Sequence, residues 1–540
     1  MRRVRSSASG ALPLALFHAV WPESSDPMER RLVRKVDALV LSYLCLNFCV
    51  NFINAYVSGL REELQMHGSQ FNNVVGFFTA GFAVAQIPQN LLLLIVPPRI
   101  LFPLNGVLWG ALTMLSAAVT TVEQLYVVKF FQGMAEASTF VGAHYILGAW
   151  YHPHELGKRA AIFAASAQAA SLFSGALQGA LYRNLDGAHG IDGWQWLFLV
   201  CGALTIPVAL YGVFLFPDTP HTTRSRFFTP EERALAISRR PPRQHTSIDR
   251  TLLRRVFGRW EVYLMSLIWI AGGALESYGA WGIMAIWMKA QLSPQGTPFY
   301  TVQQLNHYPL GLPAVAITAL LLTAVWTDRR TRDRFAVNLV VALGVFISAV
   351  LVLVGGLRPG RLPRGAMYFA FYLSGISFAG QMSNFSWANE LLAHDEQARS
   401  VVLATMNVMS YAFNAWFQVV FFKASSAPAF TQGSSLILAF VPLMAIFTCA
   451  ARYLQLRDQR STLCSGAGEK RESPPVEGEG DADAGSVRGW RTRPGTATTD
   501  ATIPGVGDEK GAANAGEPGG IKLQREQGVE EAAGNVVPAV

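Results

Sequence analysis

The sequence predicts an all-α membrane protein whose twelve transmembrane helices form two six-helix bundles. Half of its 540 residues are hydrophobic (51%) and only 15% are charged, whereas a soluble protein of this size carries about a quarter charged residues. Apolar stretches of about twenty residues recur along the chain, and each is long enough to cross roughly 30 Å of hydrocarbon. One long basic stretch in the middle separates six of them from the other six.

These apolar stretches are the candidate spans, and the polar segments around them define the domains. We predict a cytosolic tail at 1–36, a first bundle at 37–216, a basic linker at 217–258, a second bundle at 259–456 and a disordered cytosolic tail at 457–540. The candidate spans cover residues 37–57, 72–96, 101–119, 124–149, 160–182, 194–216, 262–289, 309–326, 335–357, 366–392, 400–422 and 433–453.

The segments outside the spans differ in composition. The start of the chain resembles a signal peptide, but its apolar run is short and broken by Pro13, which favours a cytosolic tail. The linker contains nine arginines against four acidic residues, and its segment TPEERALAISRR predicts a short helix with Pro230 in the first turn. After Arg457 the chain has almost no aromatic residues and too little apolar surface to fold.

The arginines predict the orientation in the membrane. Basic loops are retained in the cytosol, and they alternate here with neutral or acidic ones, with the basic loop at 358–365 as an exception. The predicted cytosolic loops are 152–159, the linker, 328–334 and 394–399. Both termini are therefore expected in the cytosol.

The sequence favours no soluble-enzyme chemistry. It contains no phosphate-binding loop of the GxxxxGK[ST] type, no HExxH and no nucleophile elbow. Its five cysteines lack metal-ligand spacing, and its net charge of +8 comes mostly from arginines between spans rather than from a nucleic-acid surface. We expect no enzymatic activity, cofactor, metal or nucleic-acid partner, and any driving energy must come from an ion gradient.

Amide side chains mark the tenth and eleventh spans. Gln381, Asn384 and Asn389 interrupt one apolar run, and Asn407 and Asn414 lie seven residues apart on one face of the other. An amide in hydrocarbon needs a partner or a wet cavity. Contacts between helices account for a single amide, whereas several on neighbouring spans favour a polar path. We expect Gln381, Asn384 and Asn407 to face a hydrated cavity shared by both bundles.

Three ionisable groups lie inside spans. Glu276 lies among glycines in the seventh span, and a carboxyl group near the bilayer midplane is suited to carry a proton; a protonated, purely structural Glu276 is the alternative. Glu136 and Lys129 share the fourth span, about 10 Å apart along the axis. Lys129 is able to attract an anion, or else to snorkel or pair with an acid.

The loop DRRTRDR between the eighth and ninth spans is a candidate gate. Asp328 and Arg329 lie at the cytosolic end of a span, where an acid beside arginines can form a charge contact that opens and closes. The alternative is simple retention of positive charge on the cytosolic side.

Five blocks of sequence resemble the fungal anion:cation symporters (the allantoate permease family) of the major facilitator superfamily, and most of all the fungal pantothenate transporters. They are NAYVSGLREEL (54–64), ILGAWYHPHELGKRAAIFAAS (146–166), GWQWLFLVCGALTIPVALYGVFLFPDTP (193–220), YTVQQLNHYPLG (300–311) and the stretch 374–416. The resemblance implies the twelve-span, two-bundle major facilitator fold, a plasma-membrane location, and uptake of a small organic monocarboxylate with protons.

The resemblance has local departures. Family members usually carry an acid followed by Arg or Gln in the first span, where this chain has Phe48 and Cys49. The arginine of the family's fourth span is Lys129 here, and that of its GWRWLF block is Gln195. Loss of the first-span acid affects the charge network that the resemblance would otherwise imply.

The combined hypothesis is a proton-coupled importer of an organic anion, pantothenate in the first place, that works as a monomer by alternating access. Nicotinate, biotin, allantoate or a small peptide are alternative substrates, and a non-transporting nutrient sensor is an alternative function. Glu136 and Glu276 are the candidate proton carriers, and Asp328 and Arg329 the candidate gate. The candidate substrate-binding residues are Asn51, Asn54, Lys129, Gln381, Asn384, Trp387, Asn407 and Asn414.

Overall fold

Helices account for each of the twelve predicted spans. The structure is a computed structural model, and it describes residues 26–52, 60–66, 70–239, 251–280, 282–293, 295–330, 333–358, 360–422 and 426–469. All of these belong to one unit, Met1–Glu472, while the second unit, Ser473–Val540, lies wholly outside the described residues.

The first six spans follow the predicted order. Span 1 begins with a π-helical turn, Asp37–Leu41, and continues as Ser42–Phe52, the last residue described before a gap. The others are Gln70–Ile95, Pro98–Leu115 with a 3₁₀ turn at Ser116–Ala118, Val122–Glu136 followed by Thr139–Trp150, Pro153–Leu185, and Gly193–Leu215.

Spans 7 to 12 form the second half. They comprise Trp260–Leu275 with Ser277–Ala280 and Ile283–Lys289, Gly311–Arg329, Arg334–Leu357, Arg364–Ser374 with Gly375–Phe378 and Ala379–Leu391, Glu396–Phe421, and Thr431–Glu469. Short helices outside the spans are Pro27–Val36, Leu60–Glu63, Pro230–Ser238, Thr251–Phe257 and Val302–His307.

In the described part of the chain, six helices are both long and apolar enough to cross a membrane on their own. They are Asn73–Ile95, Pro98–Ala118, Gly193–Leu215, Tyr308–Arg329, Arg334–Leu357 and Thr431–Arg460. Spans 4, 7 and 10 fall short because each is interrupted near its middle, which shortens its continuous helix. These interruptions matter for the site described below.

The helices pack as two groups that touch along defined pairs. Span 2 packs on span 4, span 3 on span 6 and span 1 on span 5, while span 7 packs on spans 11 and 12 and span 9 on span 12. Between the groups, span 5 contacts span 8 and span 2 contacts span 11. The predicted all-α, two-bundle fold is confirmed.

The linker helix predicted around Pro230 is present as Pro230–Ser238, with Thr229 capping its first turn. It is tied to the segment before span 1, because Lys35 Nζ lies 2.8 Å from Glu232 Oε2. Arg239 lies just after it and reaches both Glu29 (2.9 Å) and Glu155 (2.7 Å). The described linker is therefore docked on the first bundle by ion pairs.

The last helix corrects one predicted boundary. The expected tail began at 457, but the helix of span 12 continues to Glu469. Extending an existing helix avoids the cost of nucleation, so polar residues beyond Arg457 remain helical although they add no apolar surface. Residues 470–540 lie outside the described residues.

Candidate substrate site between the two bundles

Two carboxyl groups lie where spans are interrupted. Glu136 is the last residue of Val122–Glu136, and two residues separate it from the second half of span 4, Thr139–Trp150. Glu276 separates Trp260–Leu275 from Ser277–Ala280, and its N–H bonds to the carbonyls of Gly272 and Gly273. Interrupted helices near the midplane commonly build transporter sites, because their ends offer polar backbone groups within the membrane.

Glu276 has a neutral partner from another span. Gln381 Nε2 donates to Glu276 Oε2 at 3.0 Å, which joins span 7 to span 10. Both side chains are partly exposed, and within the described residues no ion pair involves Glu276. The pair places a titratable group beside an amide in a partly open space, a contact that was not predicted.

Glu136 and Lys129 are held by the first bundle. Trp109 Nε1 donates to Glu136 Oε2 at 3.2 Å. Lys129 is buried, donates to Gln132 Oε1 at 2.9 Å, and places its ammonium 4.9 Å from the centre of the Phe198 ring. Lys129 therefore points into the packing between spans 4 and 6 in this conformation, where its contacts are an amide and an aromatic ring rather than the acid or the membrane interface that the alternative named.

Three of the predicted substrate-binding side chains make contacts inside the second bundle. Asn384 is fully buried and accepts a hydrogen bond from Asn338 at 2.8 Å. Trp387 donates to Gln455 at 3.2 Å, and Asn414 donates to the Ser410 carbonyl at 2.9 Å. Asn384 does not face a hydrated cavity here, so our expectation for it is corrected. Its geometry matches the contact between helices that was the alternative for each amide.

The remaining amides are placed as follows. Asn407 is fully buried and accepts a hydrogen bond from Trp269 Nε1 at 3.4 Å, while its own Nδ2 has no partner among the described residues. Asn407 therefore does not face a hydrated cavity in this conformation either, and that expectation is corrected as well. The backbone of Asn51 belongs to the helix Ser42–Phe52, but its side chain lies outside the described part of the structure. Asn54 lies outside it entirely. Gln381 is thus the amide that the structure brings together with a candidate proton carrier.

An aromatic layer lies next to the Glu276–Gln381 pair and was not predicted. Phe385, one turn beyond Gln381 in span 10, packs against Phe140 (5.0 Å between ring centres) and Trp269 (5.0 Å). It also stacks on His144, with ring centres 4.6 Å apart. We call Phe48, Phe140, His144, Phe163, Trp269 and Phe385 the aromatic layer. The sequence carries one trace of this layer. Phe140 and His144 lie four residues apart on one face of span 4, in a row that also contains Glu136 and Gly148.

The two bundles are joined at the end that carries the linker and the loops after spans 4, 8 and 10, which we call the linker end. Asp328 Oδ2 accepts from the backbone N–H of Lys158 at 2.9 Å. Arg334 donates to the carbonyl of Pro153 and to Glu390, both at 2.7 Å. Asp328 thus joins span 8 to span 5 through a backbone N–H, whereas the ion pair of Arg334 is with Glu390 of span 10.

Arg329, the other residue of the candidate gate, does not lie between the bundles as Asp328 does. Its side chain is exposed, and Arg334, buried at 1% exposure, occupies the position between bundles. Further contacts close the linker end: Tyr145 donates to Glu396 at 2.6 Å, Asn389 to the His144 carbonyl at 3.2 Å, and Ser400 to the Asn90 carbonyl at 2.9 Å. The structure therefore describes a conformation that is closed at the linker end.

Two helical bundles, a part-polar site at interrupted helices, and a closed end define the architecture of a membrane transporter that works by alternating access. Comparison with known proteins also identifies a transporter family. The family model described as Major Facilitator Superfamily matches residues 39–418. The chain belongs to the major facilitator superfamily.

Individual proteins are similar to the chain over most of its length. The chain is 35% identical to the pantothenate transporter liz1 of Schizosaccharomyces pombe, over 81% of this chain and 84% of that protein. It is 36% identical to the pantothenate transporter FEN2 of Saccharomyces cerevisiae, over 80% and 85%. Among solved structures, the proton:xylose symporter XylE is similar with a TM-score of 0.60 and 12% identity, over 77% of this chain and 94% of that one. This last likeness shows the shared fold.

Proposed function

We propose that the chain imports pantothenate together with protons across the plasma membrane, by alternating access and as a monomer. The named function of the two fungal relatives supports the substrate. The observation that supports coupling is Glu276, which lies at a helix interruption and has the neutral Gln381 as its partner. A carboxyl group without a fixed cation can gain and lose a proton as its surroundings change.

The charge distribution supports one orientation of the protein in the membrane. The linker end carries the basic loops, so it is the cytosolic end by the positive-inside rule, with both termini in the cytosol. The structure is then the outward-facing state. In it, Glu276 and Gln381 are partly exposed, while Asp328, Arg334 and the aromatic layer separate them from the cytosol.

The direct test is uptake of radiolabelled pantothenate by cells that express this chain and lack their own carrier. Uptake is expected, and it is expected to be faster at acidic than at neutral external pH, because protons enter with the anion. Competition by excess unlabelled nicotinate, biotin or allantoate tests the alternative substrates. Cells without pantothenate uptake, but with uptake of one of these, would contradict the proposed substrate and retain the transporter class.

Glu276→Gln tests the coupling role in the same cells. The variant keeps size and hydrogen-bonding capacity but cannot carry a proton, so it is expected to lose accumulation against a gradient and to retain exchange of internal for external pantothenate. Glu123→Gln, an exposed glutamate at the outer end of span 4, is the matched control and should behave as wild type. Normal accumulation by Glu276→Gln removes this residue from coupling.

A further inference from the structure

We propose that His144 is a binding residue for the cargo at the cytosolic exit of the site, and that Phe385 covers it while the linker end is closed. This inference rests on the proposed function, since it concerns the path from the Glu276–Gln381 pair to the cytosol. It assigns a role to a side chain that lies apart from both carboxyl groups.

The first observation is the state of the imidazole. His144 is 0% exposed, and neither of its ring nitrogens has a hydrogen-bond partner among the described residues. Its neighbours are the rings of Phe385 (4.6 Å between centres), Phe140 (4.8 Å) and Phe163 (5.4 Å). A buried polar group without a partner is unfavourable, and native structures contain few of them. Phenylalanine would fill such an aromatic pocket without that penalty.

The second observation is that His144 lies on the boundary between the bundles. His144 belongs to span 4 and Phe385 to span 10, and the Asn389 side chain donates to the backbone carbonyl of His144. Next along span 4, a side-chain carbon added to Gly148 would collide with Asn389. The two spans are therefore in close contact here, so any separation of the bundles at the linker end uncovers the imidazole.

The third observation is the order of residues along the two spans. On span 10, Gln381, Phe385 and Asn389 follow one another at four-residue intervals, about 6 Å per step. On span 4, Glu136, Phe140 and His144 do the same. Both rows lead from the carboxyl groups toward the linker end. Cargo that leaves the site toward the cytosol passes the ring that Phe385 now covers.

The chemistry of the exposed ring suits an organic anion. A neutral imidazole offers one N–H donor and one acceptor nitrogen. It can therefore donate to a carboxylate or exchange hydrogen bonds with a hydroxyl or amide, while the surrounding phenylalanines contact the cargo's apolar part. His144 thus supplies, in the inward-facing state, the polar contact that Gln381 supplies in the outward-facing one.

The test compares His144→Phe with His144→Gln in the full chain, purified and placed in proteoliposomes. Exchange of radiolabelled pantothenate measures passage through the exit, and equilibrium binding of pantothenate in detergent measures the outward-facing site. His144→Phe keeps the ring and removes both nitrogens, whereas His144→Gln keeps a donor and an acceptor and removes the ring. Recovery of monodisperse protein on gel filtration controls for folding, with His144→Asn as a second polar variant.

The proposal expects His144→Phe to bind pantothenate as wild type does, but to exchange it about tenfold more slowly or worse, the size of one lost hydrogen bond to a charged group. His144→Gln should recover a large part of the exchange. Wild-type exchange by His144→Phe, or equal loss in all the variants, would overturn the role of His144 and leave the proposed function standing. Absence of pantothenate exchange in the wild-type chain would overturn the proposed function itself.

Discussion

At the scale of single residues, Phe48 accounts for the departure from the family in the first span. Its ring stacks on Phe163 (4.6 Å between centres) and packs against Phe140 (5.6 Å). The position that usually holds an acid is therefore part of the aromatic layer in this chain. A carboxylate there would be buried among rings without a partner, which is unfavourable. In the described part of the chain, Glu136 and Glu276 are the carboxyl groups that lie at the interruptions of spans 4 and 7.

Gln381 and Asn384 lie three residues apart and have opposite environments, which leads to a paired prediction. Gln381→Leu removes the partner of Glu276, so we expect reduced pantothenate uptake with nearly unchanged thermal stability. Asn384→Leu leaves one N–H of the buried Asn338 amide without an acceptor, while the other keeps Thr448 Oγ1 at 3.3 Å. We therefore expect a loss of about 1–3 kcal/mol of folding free energy and a lower melting temperature. Thermal unfolding of purified protein and uptake in cells measure the two effects.

Each variant is the other's control in this comparison. If Asn384→Leu abolished uptake at normal stability, Asn384 would contact cargo after all, in a state other than the one described. If Gln381→Leu mainly destabilised the protein, its contact with Glu276 would be structural.

The same pair shows what sequence reasoning can and cannot supply at this scale. An amide in an apolar run signals an unusual contact, because its desolvation must be compensated. The sequence of the span does not indicate which neighbouring helix provides the hydrogen-bond partner. Residues three apart lie on adjoining sides of one helix, so Gln381 reaches span 7 while Asn384 reaches Asn338 of span 9. Tertiary packing decided between the two alternatives.

At the scale of elements, the spans themselves were predictable because their length is set by the thickness of the bilayer. The interruptions were less visible. Span 7 breaks at Glu276 after two glycines, while span 10 passes through a 3₁₀ turn at Gly375–Phe378. The aromatic layer was missed because it is assembled from spans 1, 4, 5, 7 and 10. Its members are far apart in sequence, and each alone is typical of an apolar helix.

The linker helix Pro230–Ser238 is held by charges rather than by a large apolar face. Burial alone would raise the pKa of Glu232, but the hydrogen bonds from Lys35 and from the Thr229 N–H hold that pKa below its usual 4.5. A carboxylate with a lowered pKa contributes stability that is complete above the unfolded-state value and is lost as the pH falls through the folded-state value. The Lys35–Glu232 contact is therefore intact throughout the physiological pH range.

Arg239→Ala tests whether the ion pairs dock this helix. The change removes the bridges to Glu29 and Glu155 together, and Arg239 is nearly buried, so we expect a cost of about 1–3 kcal/mol. Hydrogen exchange of the backbone amides in Pro230–Ser238 should accelerate severalfold. Arg224→Ala, at an exposed arginine of the same linker, is the matched control. Unchanged exchange in Arg239→Ala would mean that other contacts hold the helix.

At the scale of the whole molecule, the closed linker end depends on a glycine. A side-chain carbon added to Gly157 would collide with Asp328 Oδ1, next to the hydrogen bond between Asp328 and the Lys158 N–H. Arg334 lies beside the same point and bridges to the Pro153 carbonyl. The first turn of span 5 and the end of span 8 can therefore meet only if residue 157 has no side chain.

Gly157→Ala is accordingly expected to shift the molecule toward the state that is open at the linker end. Loss of the Asp328 contact removes about 1.5–3 kcal/mol, which corresponds to about tenfold or more in the equilibrium between the two states. The reporter is Ser400→Cys, buried at the linker end in the closed state, in a background without the native cysteines. Its labelling by a membrane-impermeant thiol reagent in inside-out vesicles should accelerate correspondingly. Gly76→Ala, where an added carbon meets nothing within 4 Å, is the control, and equal labelling in both variants would show that Gly157 does not govern closure.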